Sequence, residues 1–172
     1  MELAEENAMA ERFEITDAMR AAIGKETAPW TYEVTTTSVR GFARGVGYTD
    51  PVYFDVEAAR RAGYRHLPAP PTYLGTPVFI PGQSSDTFST PAAGMPRLDH
   101  GLPGLLDGGV ETEYRGDICA GDTLIVVSKL ADLQTRASKA LGTMLITTTE
   151  TTYTNAATGA VVAVQRGQAI FY

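Results

Sequence analysis

The sequence has little of what disulfide frameworks, metal centres and nucleic-acid surfaces require. One cysteine in 172 residues excludes an intrachain disulfide, and two widely separated histidines, His66 and His100, form no recognisable metal-ligand cluster. The net charge of -6 argues against a surface that follows nucleic-acid phosphates. No run approaches the roughly 20 apolar residues of a membrane helix, and the acidic start is unlike a signal peptide. We therefore expect a cytoplasmic protein that uses no cofactor or metal and binds neither nucleic acid nor membrane.

The composition is that of a globular protein. Hydrophobic residues make up 44% and charged residues 20% of the chain, so a packed core is expected rather than disorder. Residues 5–23 carry apolar positions at helical intervals, although Thr16 and Asp17 permit a second helix start. We predict a helical appendage over residues 1–24 and a single domain over residues 25–172.

A helix, a turn and a second helix are predicted near the middle of the chain. Apolar residues at helical spacing over 39–46 indicate one helix face, and Gly47 suits the position just past its end. Pro51 blocks helix continuation through the turn. Asp55 is a suitable N-cap for a second short helix, which Gly63 ends.

The remaining segments favour β structure. Residues 30–35 alternate in the manner of a half-buried strand, and an apolar run reaching Ile80 predicts a strand from about Thr72. Residues 81–104 carry four prolines and four glycines, which exclude regular structure over most of this loop and fit either a lid over a ligand site or a mobile connection. From residue 108 onward the pattern predicts a four-strand antiparallel meander. The result is an α+β domain with a curled antiparallel sheet packed against a helix.

Several segments recur in this order in a known family, namely 23–26, 32–35, 47–55, 58–60, 69–72, 108–109 and 111–122. Together they resemble the MaoC-like dehydratase family, in particular the branch that resembles the N-terminal dehydratase domain of fungal-type fatty acid synthase. The resemblance covers roughly residues 20–172. It implies a hot-dog fold, in which a long antiparallel sheet wraps around a central helix, here with an extra N-terminal helix. It also implies that the chain forms a homodimer or heterodimer with a second hot-dog subunit and takes an acyl thioester of coenzyme A or of an acyl carrier protein.

The turn departs from the family's pattern at its two catalytic positions. In the family it reads Gly-Asp-x-Asn-Pro-x-His, and the aspartate and histidine orient water for addition to an enoyl thioester or remove it in reverse. Here Tyr48 stands at the aspartate position, Asp50 at the asparagine and Tyr53 at the histidine. A tyrosine, with an ordinary pKa of about 10, is a poor general base at neutral pH.

Several functions are compatible with this turn. The chain is the binding subunit of a two-subunit enoyl hydratase or 3-hydroxyacyl dehydratase, or it is a self-sufficient enzyme that uses Tyr48, Tyr53, Asp50 or His100. A third hypothesis is a repurposed pocket, for example for the cyclisation of a polyketide-like acyl chain. The fold also permits a thioesterase, with Asp50 or Glu113 facing the thioester, or a non-catalytic scaffold.

We predict substrate contacts at Pro70 and Thr72, and at Gly108 and Gly109, where a thioester has room to approach the backbone. The two glycines are equally compatible with a β-bulge. Tyr48 and Tyr53 are equally well explained as aromatic residues of a pocket wall. Asp50 is equally well explained as a residue that stabilises its own turn.

Overall fold

The structure is a computed structural model that describes residues 13–75 and 98–172. The first part of the predicted helix over 5–23, the predicted strand beyond residue 75 and the loop between residues 81 and 97 lie outside the described residues. The described helices are α1 (Asp17–Arg20), α2 (Thr36–Gly45) and α3 (Val56–Arg61), and the strands are β1 (Trp30–Glu33), β2 (Leu105–Tyr114), β3 (Thr123–Ser138), β4 (Gly142–Asn155) and β5 (Val161–Phe171).

The five strands form one antiparallel sheet in the order β1-β3-β4-β5-β2. The predicted four-strand meander is therefore wrong for β2, which pairs with β5 at the edge of the sheet instead of with β3. The connection over residues 115–122 is too long for a tight hairpin. β3 therefore does not have to pair with β2, the strand that precedes it in the sequence. Alternation along a strand fixes its faces but carries no information about its partner.

The central helix α2 follows from a capping box and an apolar face. Thr35 Oγ1 accepts a hydrogen bond from Ser38 N at 3.0 Å, and Ser38 Oγ accepts one from Thr35 N at 3.0 Å. Val39 and Ala43 are fully buried. Gly47 follows the helix with φ of 82°, as predicted.

The second helix, α3, is also capped as predicted. Asp55 Oδ1 accepts a hydrogen bond from Ala58 N at 2.9 Å, and Gly63 follows the helix with φ of 96°. Near the N-terminus, Thr16 Oγ1 accepts from Met19 N at 3.2 Å, so the described helix starts at Asp17, the second possible start in the sequence. It ends at Arg20, so the helix predicted to run to residue 23 is wrong over residues 13–16 and 21–23.

The strand predicted from Thr72 is wrong over its first residues. Thr72 has φ of 68°, in the left-handed region that a β-branched residue rarely adopts, and Tyr73–Gly75 form a 3-10 turn. Tyr73 N donates to the carbonyl oxygen of Pro70 at 3.1 Å, which closes a turn where an extended chain was expected. The prolines that permit the start of a strand also permit this turn.

Two apolar clusters lie on the concave face of the sheet. The tyrosine-rich cluster contains Tyr32, Tyr73 and Tyr153 and packs against Val39 of α2 and Ala59 of α3. The leucine-rich cluster lies toward the other end of the strands and contains Met19, Ala22, Leu102, Leu130, Leu133 and Leu145. The sheet, with α2 against its concave face, gives the α+β hot-dog arrangement that was predicted.

Candidate functional site

The turn between α2 and α3 brings Tyr48 and Tyr53 together. Their ring centroids lie 5.3 Å apart with an interplanar angle of 31°, which is a tilted aromatic contact. Tyr48 is 37% exposed, and Tyr53 is half-buried. The positions at which the family resemblance implies the aspartate and histidine thus hold one pair of contacting tyrosine rings, of which Tyr48 is accessible.

Tyr53 is protonated at neutral pH. Burial raises the pKa of its hydroxyl, and Tyr48, Asp50 and Tyr64 raise it further. A tyrosine in this state donates a hydrogen bond but does not accept a proton as a base. The chemistry available at this position is therefore polarisation of an oxygen atom.

Asp50 stabilises the turn itself. Its Oδ1 accepts a hydrogen bond from Val52 N at 3.0 Å, and it caps the 3-10 turn Pro51–Tyr53. The side chain is exposed. The structure thus supports the structural interpretation of Asp50, which the sequence left open beside the catalytic one.

Tyr114, at the end of β2, was not among the predicted residues. Burial raises the pKa of its hydroxyl, a hydrogen bond from the Thr72 backbone lowers it, and Tyr48 raises it further. The strand register places Tyr114 in the same row as Tyr153 of the tyrosine-rich cluster, with Ala163 between them. Burial raises the pKa of Tyr153, and Tyr114 raises it further. We therefore include Tyr114 in the candidate site.

Thr72 and Pro70 occupy different positions in this site. Thr72 is exposed in its left-handed conformation beside Tyr114, and strained backbone of this kind is concentrated at functional sites. Pro70 is fully buried. Its carbonyl holds the turn, so it supports Thr72 from the core.

The glycines predicted to approach the substrate lie elsewhere. The register of β2 shifts between Asp107 and Gly109, and Gly109 has φ of 100°, so the pair forms a β-bulge. Gly109 is five residues from Tyr114, roughly 17 Å along the strand. The glycines border a cleft of about 360 Å³ whose other lining residues are Val110, Glu111, Thr148, Arg166 and Gln168.

His100 lies at the opposite end of β2 from the tyrosine turn. Its ring centroid is 4.2 Å from that of Phe171, which pairs with Leu105 at the start of the strand. Nδ1 of His100 accepts a hydrogen bond from Leu102 N at 3.1 Å. Burial lowers the pKa of the ring, partly offset by Asp99, so His100 is neutral at pH 7. The structure does not bring it to the tyrosine pair.

His66 is likewise engaged with the backbone, because its Nδ1 accepts from Leu67 N at 2.9 Å. Within residues 13–75 and 98–172, no group of three or more His, Cys, Asp or Glu side chains is placed to hold a metal ion. No helix in the same ranges is long and apolar enough to cross a membrane.

The fold is that of a hot-dog protein, and the family match places the chain in the dehydratase and hydratase class. The family described as FAS1-like, dehydratase domain region, matches residues 21–165, and the chain belongs to this family. A UPF0336 protein of Parafrankia sp. (strain EAN1pec) is 36% identical over 141 residues, which cover 80% of this chain and 87% of the relative. A UPF0336 protein of Streptomyces coelicolor is 34% identical over 115 residues, covering 64% and 68%.

Solved structures share the fold. A MaoC-like dehydratase superposes with a TM-score of 0.67 at 24% identity, covering 88% of this chain and 42% of that one. The HadBC 3R-hydroxyacyl-ACP dehydratase complex of Mycobacterium tuberculosis gives 0.65 at 23% identity, covering 91% and 99%. The ChsH1-ChsH2 complex of the same organism gives 0.67 at 18% identity, covering 99% and 91%.

Proposed function

We propose that this chain is the thioester-binding subunit of a two-subunit enoyl hydratase or 3-hydroxyacyl dehydratase, and that a partner hot-dog subunit carries the Asp/His pair. The observation that carries the proposal is the ring contact between Tyr48 and Tyr53 in the turn. Both side chains of the family's acid-base pair are replaced, while the turn that presents them is kept.

In this proposal the tyrosines bind the acyl thioester and the partner activates water. A protonated Tyr53 hydroxyl donates a hydrogen bond to the thioester carbonyl, where negative charge develops during addition or elimination. The proton transfers need a group that titrates near neutral pH, such as histidine. The two histidines of this chain have Nδ1 occupied by backbone N–H groups, which favours a base supplied by another chain.

Among residues 13–75 and 98–172, no strand pairs with the outer edge of β2, and this edge supports a second subunit. β2 is exposed over nearly its whole length, including large apolar side chains at Leu105, Leu106, Val110 and Tyr114. A long apolar edge strand is a template for pairing with another chain. Two of the solved structures with this fold are complexes by their titles, HadBC and ChsH1-ChsH2.

The activity of the chain alone tests whether thioester binding and water activation belong to two different subunits. The purified protein is incubated with short and long 2-enoyl-coenzyme A thioesters, and loss of the enoyl absorbance is followed. We expect no turnover, but saturable thioester binding by calorimetry. Turnover by the chain alone would show instead that it is a self-sufficient enzyme.

The role of the tyrosine hydroxyls is tested by Tyr48→Phe and Tyr53→Phe, which keep the rings and remove the donors. Each is expected to weaken thioester binding about fivefold to tenfold, the loss of one hydrogen bond. Tyr172→Phe is the matched control and should leave binding unchanged. Unchanged binding in all three variants would mean that the hydroxyls of Tyr48 and Tyr53 do not bind the thioester and that their rings only line the pocket.

Subunit association is tested at the edge strand. Leu106→Lys and Val110→Lys together place charge on β2, a substitution that blocks edge pairing. Light scattering measures the molar mass of the assembly that the chain forms, alone or with a partner subunit. We expect the double variant to have the molar mass of one chain. Val161→Lys, at an exposed valine of β5, is the control. A chain that is already monomeric, alone and with every candidate partner, would contradict the two-subunit assignment.

A further inference from the structure

A row of neutral polar side chains crosses the concave face of the sheet. It comprises Ser128, Thr151, Gln165 and Thr112, one residue from each of β3, β4, β5 and β2. Each is directly opposite the next, because Ser128 pairs with Thr151, Thr151 with Gln165, and Gln165 with Thr112. With strands about 4.8 Å apart, this transverse row spans roughly 14 Å.

Hydrogen bonds show that the members of the row share one face. Ser128 Oγ and Thr151 Oγ1 lie 2.8 Å apart, and Gln165 Nε2 donates to Thr112 Oγ1 at 3.1 Å. The hydroxyl of Tyr153, in the tyrosine-rich cluster, lies 3.4 Å from Gln165 Oε1. The row is therefore on the face that carries α2 and the core.

The place of the row is unusual for polar groups. The neighbouring row toward the turn contains Tyr153 and Tyr114, and the neighbouring row on the other side contains Leu130. The polar row thus lies between the tyrosine-rich and the leucine-rich clusters, and all four of its residues are half-buried. Apolar side chains at these positions would have joined the two clusters into one core.

The hydrogen bonds within the row do not use all of its hydrogen-bond donors. A glutamine amide has two N–H donors, and a threonine hydroxyl donates one hydrogen and accepts two. Among the described residues, one N–H of Gln165 and the hydroxyl hydrogen of Thr112 have no acceptor. In the adjacent row Gly167 stands opposite Thr149 and Val110 without a side chain, which leaves room beside the spare donors.

We propose that this row recognises an acyl chain that carries a hydroxyl or keto oxygen remote from its thioester. The inference rests on the proposed function: an acyl chain whose thioester is held at Tyr48 and Tyr53 would reach this face past Tyr114, which lies one row from Thr112 and Gln165. Successive rows on one face are about 7 Å apart, so the polar row lies one row beyond Tyr114. An unsubstituted chain would leave the donors of Gln165 and Thr112 unpaired, whereas an oxygenated chain satisfies them.

Binding of matched thioesters tests this substrate class. The purified chain is titrated with octanoyl-coenzyme A and with its 5-hydroxy and 7-hydroxy derivatives. We expect at least one hydroxylated thioester to bind about fivefold to tenfold more tightly than octanoyl-coenzyme A. Equal or weaker binding of both hydroxylated chains would overturn the inference and leave the proposed function standing. If none of the three thioesters binds, the proposed function itself fails, and the inference with it.

Two variants locate the preference. Gln165→Leu removes the amide, and Thr112→Val removes the other spare hydroxyl with little change of shape, so at least one of them should fold. Each is expected to abolish the preference for the hydroxylated chain while octanoyl-coenzyme A still binds. Thr152→Val, on the outer face of β4, should keep the preference. A preference that survives both concave-face variants would overturn the assignment.

Discussion

The two faces of the sheet carry different kinds of polar residue, one position apart along the same strands. The concave face has the neutral row Ser128, Thr151, Gln165 and Thr112, and the next residues on the convex face are Lys129, Glu150, Arg166 and Glu111. On the convex face Glu150 forms ion pairs with Lys129 at 2.9 Å and with Arg166 at 2.7 Å. The concave row makes only neutral hydrogen bonds.

This difference follows from the cost of burial. An unpaired charge loses far more hydration free energy than a hydroxyl or amide when it is half-buried. Charges are therefore tolerated on the convex face, where water and opposite charges reach them. The concave face is restricted to neutral donors and acceptors, which suit a neutral oxygen atom rather than a phosphate or carboxylate.

The largest loss of stability is expected when a charge is placed in the concave row. Thr151→Glu puts a half-buried carboxylate beside Ser128 and Gln165, in a row that contains no cation. We expect the free energy of unfolding in urea to fall by about 2–4 kcal/mol. Thr152→Glu, on the convex face, should cost less than about 1 kcal/mol. Equal losses would show that the two faces do not differ in polarity.

Asp122 shows what a charge needs in order to be buried. It is 7% exposed and accepts hydrogen bonds from Cys119 N at 2.8 Å and from both Nη atoms of Arg65, at 2.6 Å for Nη1. Burial raises the pKa of Asp122, but these hydrogen bonds outweigh burial and hold it below its usual range. The site therefore stabilises the fold fully above the unfolded-state pKa, and this stabilisation is lost as the pH falls through the lower folded-state value.

Asp122→Asn is expected to reduce the free energy of unfolding by about 2–3 kcal/mol at pH 7, since hydrogen bonds to a charged group are removed and the half-exposed Arg65 loses its partner. The difference from wild type should shrink toward acidic pH. Urea unfolding at pH 7 and pH 3 measures it. Asp117→Asn, at an exposed carboxylate, is the control. A loss that stays constant with pH would contradict the charge-based explanation.

Local signals predicted α2, α3 and the turn between them. Gly47 and Asp55 act through their own backbone neighbours, so their roles can be inferred without knowing the fold. The pairing of β2 with β5 could not be inferred in this way, because alternation gives no partner. Thr72 was mispredicted for a related reason, since Pro70 fits both an extended entry and a turn.

The candidate site was predictable only where its residues are close in sequence. Tyr48 and Tyr53 are five positions apart across one turn, and the comparison with the family's turn singled them out. Tyr114 is far from both in sequence, on β2, so no local pattern links it to them. The transverse row has one member on each of four strands, including Ser128 and Thr112, so only the strand register reveals it.

Tyr153→Phe tests whether the Tyr153 hydroxyl links the row to the tyrosine-rich cluster. The Tyr153 hydroxyl donates to the carbonyl of Leu74 at 3.3 Å and lies 3.4 Å from Gln165 Oε1. Its single hydrogen serves one of these acceptors at a time, so its removal costs one hydrogen bond, and we expect a loss of about 1 kcal/mol in the free energy of unfolding. Tyr172→Phe should have no measurable effect. Unchanged stability in both variants would mean that the Tyr153 hydroxyl is not needed to connect row and cluster.

The smallest effect is expected on the convex face. The hydrogen bonds from Lys129 and Arg166 hold the pKa of Glu150 below its usual range, so its contribution is present above the unfolded-state pKa and is lost as the pH falls through the folded-state value. Because Lys129 and Arg166 are partly exposed, Glu150→Gln should cost only about 0.5–1 kcal/mol at pH 7. The loss should diminish in high salt, which screens exposed pairs. A loss as large as that of Thr151→Glu, or one unaffected by salt, would mean that the convex charges are not solvated and that the contrast between the faces has another cause.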